Sequence, residues 1–149
     1  TIHENMPQSP SPATSPYRDR IELLRSRVGL LSGKDRLLMT MYLENGNSFR
    51  QIARLADVNE ANIARKIRRL IERLTANEYV TCLRNRRQFT RNELLVAKDH
   101  FIRGWSLRKI AAKRCCTYYQ ARKIIKRVER LAEAAENKTT QGRDQDANV

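Results

Sequence analysis

The sequence of 149 residues predicts an all-α fold of two tandem three-helix units with an additional N-terminal helix. Three observations predict this fold. Apolar residues recur at the three- and four-residue spacing of amphipathic helices. The same order of helix-start and helix-stop signals occurs twice, at an offset of 58 residues. A long basic helix ends each of the two copies.

The N-terminal helix is predicted over residues 16–31. It follows a tail, residues 1–15, whose Pro, Ser and Thr content favours disorder. Ser15 suits an N-cap and Pro16 suits the first helical position. An apolar stripe then follows at Ile21, Leu24, Val28 and Leu31. A single apolar stripe requires a partner, so this helix is expected to pack on the rest of the chain.

Each copy of the repeat carries a capping box, a glycine that ends the first helix, and a serine that caps the second. In residues 32–77 these signals are Ser32–Asp35, Gly46 and Ser48. In residues 90–136 they are Thr90–Glu93, Gly104 and Ser106. Because these signals agree at one offset, the two segments are predicted to fold alike.

A three-residue break precedes the last helix of each copy, at 57–59 and at 115–117. Asn59 and Thr117 suit the N-cap of that helix. Ala53 and Ala111 supply the small residue that two crossing helices need. The predicted buried stripes are Ile63, Ile67, Leu70, Ile71 and Leu74, and Ala121, Ile125, Val128 and Ala132. Each copy is therefore predicted to be a helix-turn-helix unit.

Two segments lie outside the repeat. Residues 78–89 are predicted to be a linker, in which residues 79–83 are compatible with a short extended segment. Residues 137–149 are polar and are predicted to be a disordered C-terminal tail.

The net charge of +14 favours a polyanionic partner, with nucleic acid first and an anionic membrane surface second. The cations concentrate on the two basic helices, which favours nucleic acid as the partner.

No apolar run is long enough to span a bilayer, and no signal-peptide core is visible, so secretion and membrane insertion are not expected. The odd cysteine count and the adjacent Cys115 and Cys116 predict reduced thiols in packed or half-buried places, and therefore a cytoplasmic protein. Binding to DNA would associate it with the nucleoid. No metal, cofactor or small-molecule ligand is predicted.

The first residues of a recognition helix contact base edges, and later cations contact phosphates. The predicted base contacts are Glu60, Ala61, Asn62 and Arg65 in the first unit, and Tyr118, Tyr119, Gln120, Arg122 and Lys123 in the second. The predicted phosphate contacts are Ser48, Arg50, Arg68, Arg69, Arg73, Ser106, Arg108, Lys126 and Arg127. The two tyrosines fit base or phosphate contact and core or interface packing equally well. Trp105 is expected to lie in the core.

The segment from Leu37 to Leu74, which contains Gly46-Asn47-Ser48-Phe49-Arg50-Gln51-Ile52-Ala53, resembles region four of bacterial sigma factors. That region is the helix-turn-helix module that recognises the promoter −35 element. The resemblance implies that Glu60, Ala61, Ala64 and Arg65 occupy base-contacting positions. The second unit departs from the pattern at Cys115, Cys116 and Ala121. No counterpart of the sigma regions that bind the −10 element and the polymerase core is recognised, so the resemblance implies a sigma-like regulator.

Three functions are compatible with this sequence. The first is a transcription regulator that binds double-stranded DNA and is not an enzyme. The second is the DNA-binding arm of a recombinase or transposase, although the acidic residues are scattered and form no catalytic cluster in the sequence. The third is an adaptor for RNA polymerase that docks through the N-terminal helix and the region of Tyr79.

Overall fold

The computed structural model describes residues 16–146. All regular secondary structure in that range is helical, which confirms the all-α class. The chain divides between Thr75 and Ala76 into two compact units. No helix within the described range is both long and apolar enough to cross a membrane.

The first unit contains four α-helices. They are α1 (Pro16–Arg27), α2 (Gly33–Leu43), α3 (Phe49–Ala56) and α4 (Glu60–Thr75), and a 3₁₀ helix, Val28–Leu30, follows α1. Helix α1 packs against α2 and α4, and α3 packs against α2 and α4. The predicted N-terminal helix is therefore present and belongs to the first unit, and Ser15 lies outside the described residues.

The core of the first unit takes a fully buried side chain from every helix. Leu24 of α1, Met39 of α2, Ile52 of α3 and Ile67 of α4 are at most 1% exposed. Burying each such side chain contributes about 1.5–3 kcal/mol. Arg27 Nη1 also donates to the carbonyl oxygen of Leu74 at 2.8 Å, which satisfies a free carbonyl at the end of α4. These contacts fix α4 against the other three helices.

The second unit also contains four α-helices. They are α5 (Glu78–Arg84), α6 (Arg91–Phe101), α7 (Leu107–Arg114) and α8 (Tyr118–Asp146), and a 3₁₀ helix, Arg86–Gln88, follows α5. Helix α8 packs against α5, α6 and α7, and α6 packs against α5 and α7.

Residues 78–89 are thus not a linker, and residues 79–83 are not extended. Helix α5 buries Tyr79 and Cys82 in the second unit, and Phe89 is buried directly after the 3₁₀ helix. Cys82 and Phe89 lie 58 residues after Leu24 and Leu31, which are buried in the first unit. The repeat therefore includes the N-terminal helix of each unit, and each unit has four helices where the sequence predicted three. A helix of seven residues repeats its apolar spacing only once or twice, so the sequence pattern that would predict this helix is weak.

The second unit holds a buried carboxylate that has no counterpart in the first. Asp99 of α6 is fully buried and accepts two hydrogen bonds from Arg114, from Nε at 2.6 Å and from Nη2 at 3.0 Å. Arg103 Nη1 lies 3.4 Å from the same carboxylate. The hydrogen bonds with Asp99 raise the pKa of the Arg114 guanidinium. This arrangement ties the end of α7 to α6.

The C-terminal tail predicted at 137–149 is helical over most of its length. Helix α8 runs without interruption to Asp146, and residues 147–149 lie outside the described range. The stretch from Ala134 to Gln141 contains no proline or glycine and continues the helix, although its polar sequence resembles a tail. The predicted tail at 1–15 also lies outside the described residues.

One of the two predicted capping boxes is present. The Thr90 side chain accepts from the Glu93 amide at 3.1 Å, and Glu93 accepts from the Thr90 amide at 2.9 Å. The Ser32 side chain makes no capping bond, so the predicted box at Ser32–Asp35 is wrong. Gly33 has a φ of +57°, which departs from the helical geometry that a capping box needs at this position. Asp35 instead lies 3.5 Å from Lys66 Nζ of α4.

Candidate nucleic-acid interface

The turns that precede α4 and α8 have the same backbone geometry. Asp57 and Cys115 follow α3 and α7 directly, and their φ angles are 53° and 54°. The next amide donates back into the preceding helix in both cases, from Val58 to Ala53 at 3.0 Å and from Cys116 to Ala111 at 3.2 Å. The breaks at 57–59 and 115–117 therefore lie where the sequence predicted them. A left-handed non-glycine residue costs about 1–2 kcal/mol, which the packing of each unit offsets.

Both predicted N-caps of α4 and α8 are formed. Asn59 Oδ1 accepts from the Ala61 amide at 2.7 Å. Thr117 Oγ1 accepts from the Gln120 amide at 3.0 Å, and Gln120 Oε1 accepts from the Thr117 amide at 2.9 Å. These bonds fix where each helix starts relative to its turn, because they satisfy amides that have no partner within the helix.

Helices α4 and α8 each bury one stripe and expose another, and we call them the closing helices of their units. The buried residues are Ile63, Ile67, Leu70 and Leu74 in α4, and Ala121, Ile125, Val128 and Ala132 in α8, as predicted, whereas Ile71 is only half-buried. Among the side chains that the structure describes, the exposed cations are Arg65, Lys66, Arg68 and Arg69 in α4, and Arg122, Lys123, Lys126, Arg127, Arg130 and Lys138 in α8. Both closing helices therefore present a cationic face to solvent.

The predicted base-contacting residues of the first unit lie at the start of α4. Glu60, Ala61, Asn62 and Arg65 are exposed, and Ala64 is half-buried. Arg65 Nη2 donates a hydrogen bond to Asn62 Oδ1. The structure thus brings the amide and the guanidinium together on one turn of α4.

The equivalent residues of the second unit lie at the start of α8. Tyr118 and Tyr119 are 49% and 72% exposed, so neither is a core aromatic. Arg122 and Lys123 are exposed as well. Gln120 is exposed too, and its side-chain oxygen accepts from the Thr117 amide in the capping box of α8.

The predicted phosphate contacts fall into two groups. Arg50, Arg68, Arg69, Arg108 and Lys126 are exposed, and Arg73 is half-buried. Ser48 and Ser106 are the N-caps of α3 and α7, where their hydroxyls accept from the amides of Gln51 at 3.1 Å and Lys109 at 3.2 Å.

Arg127, which is predicted to contact phosphate, is 46% exposed and also makes contacts within the second unit. Its Nη1 donates to Glu93 at 2.8 Å and its Nη2 donates to the carbonyl oxygen of Gln88. Its guanidinium also lies 4.3 Å from the centroid of the Phe89 ring. These partners come from the 3₁₀ helix and from α6, so sequence spacing within α8 gave no sign of them.

The surroundings of the two turns differ chemically. Leu55 and Val58 are 73% and 47% exposed beside the start of α4. The residues 58 positions later are Lys113, which is exposed, and Cys116, which is half-buried. Trp105 is half-buried against the core of the second unit, with Lys109 Nζ 4.4 Å from its ring centroid.

The three cysteines are unpaired but have different environments. Cys82 is buried, Cys116 is half-buried and Cys115 is exposed, so the expectation of packed or half-buried thiols is wrong for Cys115. Burial raises the pKa of the Cys82 thiol to about 11. An open cavity of about 490 Å³ lies beside Cys115 and Cys116 and is also lined by Gln120 and Lys123. No cluster of three or more His, Cys, Asp or Glu side chains in the described part of the chain is suited to hold a metal ion.

The chain was compared with protein-family models, curated proteins and solved structures, and none of them matches it.

Proposed function

We propose that this protein is a sequence-selective DNA-binding protein that lays its two closing helices, α4 and α8, in grooves of double-stranded DNA. In this proposal α3 with α4, and α7 with α8, are helix-turn-helix motifs. The protein acts as a bacterial transcription regulator in the cytoplasm, associated with the nucleoid, and not as an enzyme.

One observation carries the proposal. Each unit places a three-residue turn with a left-handed first residue before a long helix that buries an apolar stripe and exposes a cationic one. Helices of this kind enter the major groove with their first residues near base edges. Because the same arrangement occurs twice in one chain, two linked contacts raise the effective concentration of the second at a composite site.

The resemblance to sigma region four supports the same conclusion for the first unit. It favours a regulator that acts on promoters, with RNA polymerase as a second partner.

The proposal is tested by the salt dependence of DNA binding by the full chain. Fluorescence anisotropy with a labelled duplex should give an affinity that falls steeply between 50 and 200 mM salt, as phosphate counterions are released. Arg69→Ala should weaken binding to all duplexes alike and reduce the slope of log K against log salt by about 0.9. A footprint of the intact protein on a selected site should show two separate contact patches.

Two control variants remove the same charge away from the closing helices. Arg36 lies on α2 and Arg91 at the start of α6, and both are exposed. Arg36→Ala and Arg91→Ala should leave the affinity close to that of the wild type. If they weaken binding as much as Arg69→Ala does, the total charge and not the closing helix determines binding, and the proposal is wrong.

A protein-binding role is the second candidate, because the first unit exposes apolar side chains. Leu37, Leu55 and Val58 are each about half exposed or more, at 62%, 73% and 47%. Such side chains are typical of surfaces that dock a protein partner such as RNA polymerase. Tight binding to polymerase without salt-sensitive binding to DNA would favour this role over the first.

A further inference from the structure

The two closing helices carry the same pair of side-chain types at equivalent positions. Asn62 and Gln120 are the third residues of α4 and α8, and Arg65 and Lys123 are the sixth. Each residue of the second pair follows its equivalent by 58 positions. Both units therefore place an amide side chain one helical turn before a cation, on the part of the helix that would face the bases.

Asn and Gln side chains can recognise adenine with two hydrogen bonds. The side-chain oxygen accepts from the adenine amino group, and the side-chain nitrogen donates to N7. That interaction needs the amide oxygen and the amide nitrogen to face the edge of the base together.

Both amide oxygens accept a hydrogen bond within the protein. Asn62 Oδ1 accepts from Arg65 Nη2. Gln120 Oε1 accepts from the Thr117 amide at 2.9 Å, as half of the capping box of α8. Each oxygen keeps a second lone pair, but these bonds turn the Asn62 amide toward Arg65 and the Gln120 amide toward the Thr117 backbone. Turning Gln120 toward an adenine would remove its half of the capping box of α8.

The cations are available for base contact. Arg65 and Lys123 are exposed, and Arg65 retains guanidinium donors beyond the one that it shares with Asn62. Arg and Lys donate to O6 and N7 of guanine, which is the commonest specific contact in the major groove. The bond to Asn62 also limits the rotamers of Arg65, so less side-chain entropy is lost when it binds a base.

We propose that each unit selects guanine through its cation, Arg65 in the first and Lys123 in the second, and that Asn62 and Gln120 are positioning residues that do not contact adenine. This inference rests on the proposed DNA-binding function. It makes the preferred target a composite site with a guanine opposite each closing helix.

The experiment is selection of bound duplexes from a random double-stranded pool by the full-length protein and four variants. Asn62→Asp keeps an acceptor for Arg65 but has no amide donor. Gln120→Glu keeps the capping box, in which Glu is as suitable as Gln, and again has no amide donor. Both variants retain guanine at the selected positions under the proposal. Arg65→Ala and Lys123→Ala each relax one guanine position, by about 5- to 150-fold in relative affinity.

A second measurement checks the contact atom. Replacing the guanine assigned to Arg65 by 7-deazaguanine removes the N7 acceptor of that base. The wild type should lose affinity for the modified duplex, whereas Arg65→Ala should bind both duplexes equally. The added negative charge of Asn62→Asp lowers the affinity for every duplex alike. It therefore does not change the base preference at one position, which is what the selection measures.

The outcomes separate the two proposals. Loss of selection at an adenine position in Asn62→Asp or Gln120→Glu, with guanine selection intact in Arg65→Ala and Lys123→Ala, overturns this inference and leaves DNA binding standing. A wild-type protein that shows no salt-sensitive binding to any duplex overturns both. Circular dichroism of each variant confirms that its helices are formed.

Discussion

The buried carboxylate of Asp99 should be a main determinant of the stability of the second unit. Its carboxylate accepts from Arg114 at 2.6 and 3.0 Å and lies 3.4 Å from Arg103. Removing one partner of a buried ion pair costs about 3–5 kcal/mol. The Arg114 and Arg103 side chains are 22% and 32% exposed and partly regain water, so we expect about 2–4 kcal/mol for Asp99→Ala.

The assay is urea unfolding followed by tryptophan fluorescence. Trp105 is the only tryptophan in the sequence and packs on the core of the second unit, so its signal follows that unit. With a slope of about 1 kcal/mol per molar urea, Asp99→Ala should lower the midpoint by roughly 2–4 M. Asp99→Asn should lower it less, because one acceptor oxygen can still bind Arg114.

The control is Asp35→Ala, which removes a surface contact with Lys66 at 3.5 Å in the first unit. Such a pair contributes about 0–1 kcal/mol, and the Trp105 transition should not move. If Asp99→Ala lowers the stability of the second unit by less than about 0.5 kcal/mol, the reasoning that the carboxylate holds α7 to α6 is refuted.

Three further predictions follow from single contacts. Arg127→Ala should destabilise the second unit by about 1–3 kcal/mol, because it removes the ion pair with Glu93 and the contact with the Phe89 ring. It should weaken DNA binding less than Arg122→Ala does, and a larger loss of affinity in Arg127→Ala would contradict its structural role. Thr90→Ala should cost about 1 kcal/mol in unfolding free energy, whereas Ser32→Ala should cost almost nothing because Ser32 makes no capping bond; equal losses in urea titrations would disagree with the structure. Burial raises the pKa of the Cys82 thiol from 9.0 to about 11, so its contribution of about 2–3 kcal/mol to the free energy of unfolding is complete below pH 9 and is lost as the pH rises to about 11. The urea midpoint that Trp105 fluorescence reports should fall in that pH window, and Cys82→Ala should reduce the fall. An unchanged fall in that variant would contradict the assignment.

The closing helices could be predicted well from sequence, and the contacts between helices could not. The buried stripe of α4 and the break at 57–59 follow from local spacing and local capping, which depend on residues a few positions apart. The role of Arg127 depends on Phe89 and Glu93, which lie more than 30 positions earlier, so no local pattern carries it. The hydrogen bond between the Gln120 side chain and the Thr117 amide could have been predicted, because Thr117-Tyr118-Tyr119-Gln120 fits the spacing of a capping box.

The sequence by itself determined the helical class, the repeat at 58 residues and the positions of the left-handed turns, because helix periodicity and end signals act over one or two turns of chain. The tertiary structure decided that α5 completes a four-helix second unit, because a helix of seven residues becomes stable only through the surface on which it packs. It also decided that Arg127, although exposed, is held by Glu93 and Phe89, since that depends on partners brought near by folding.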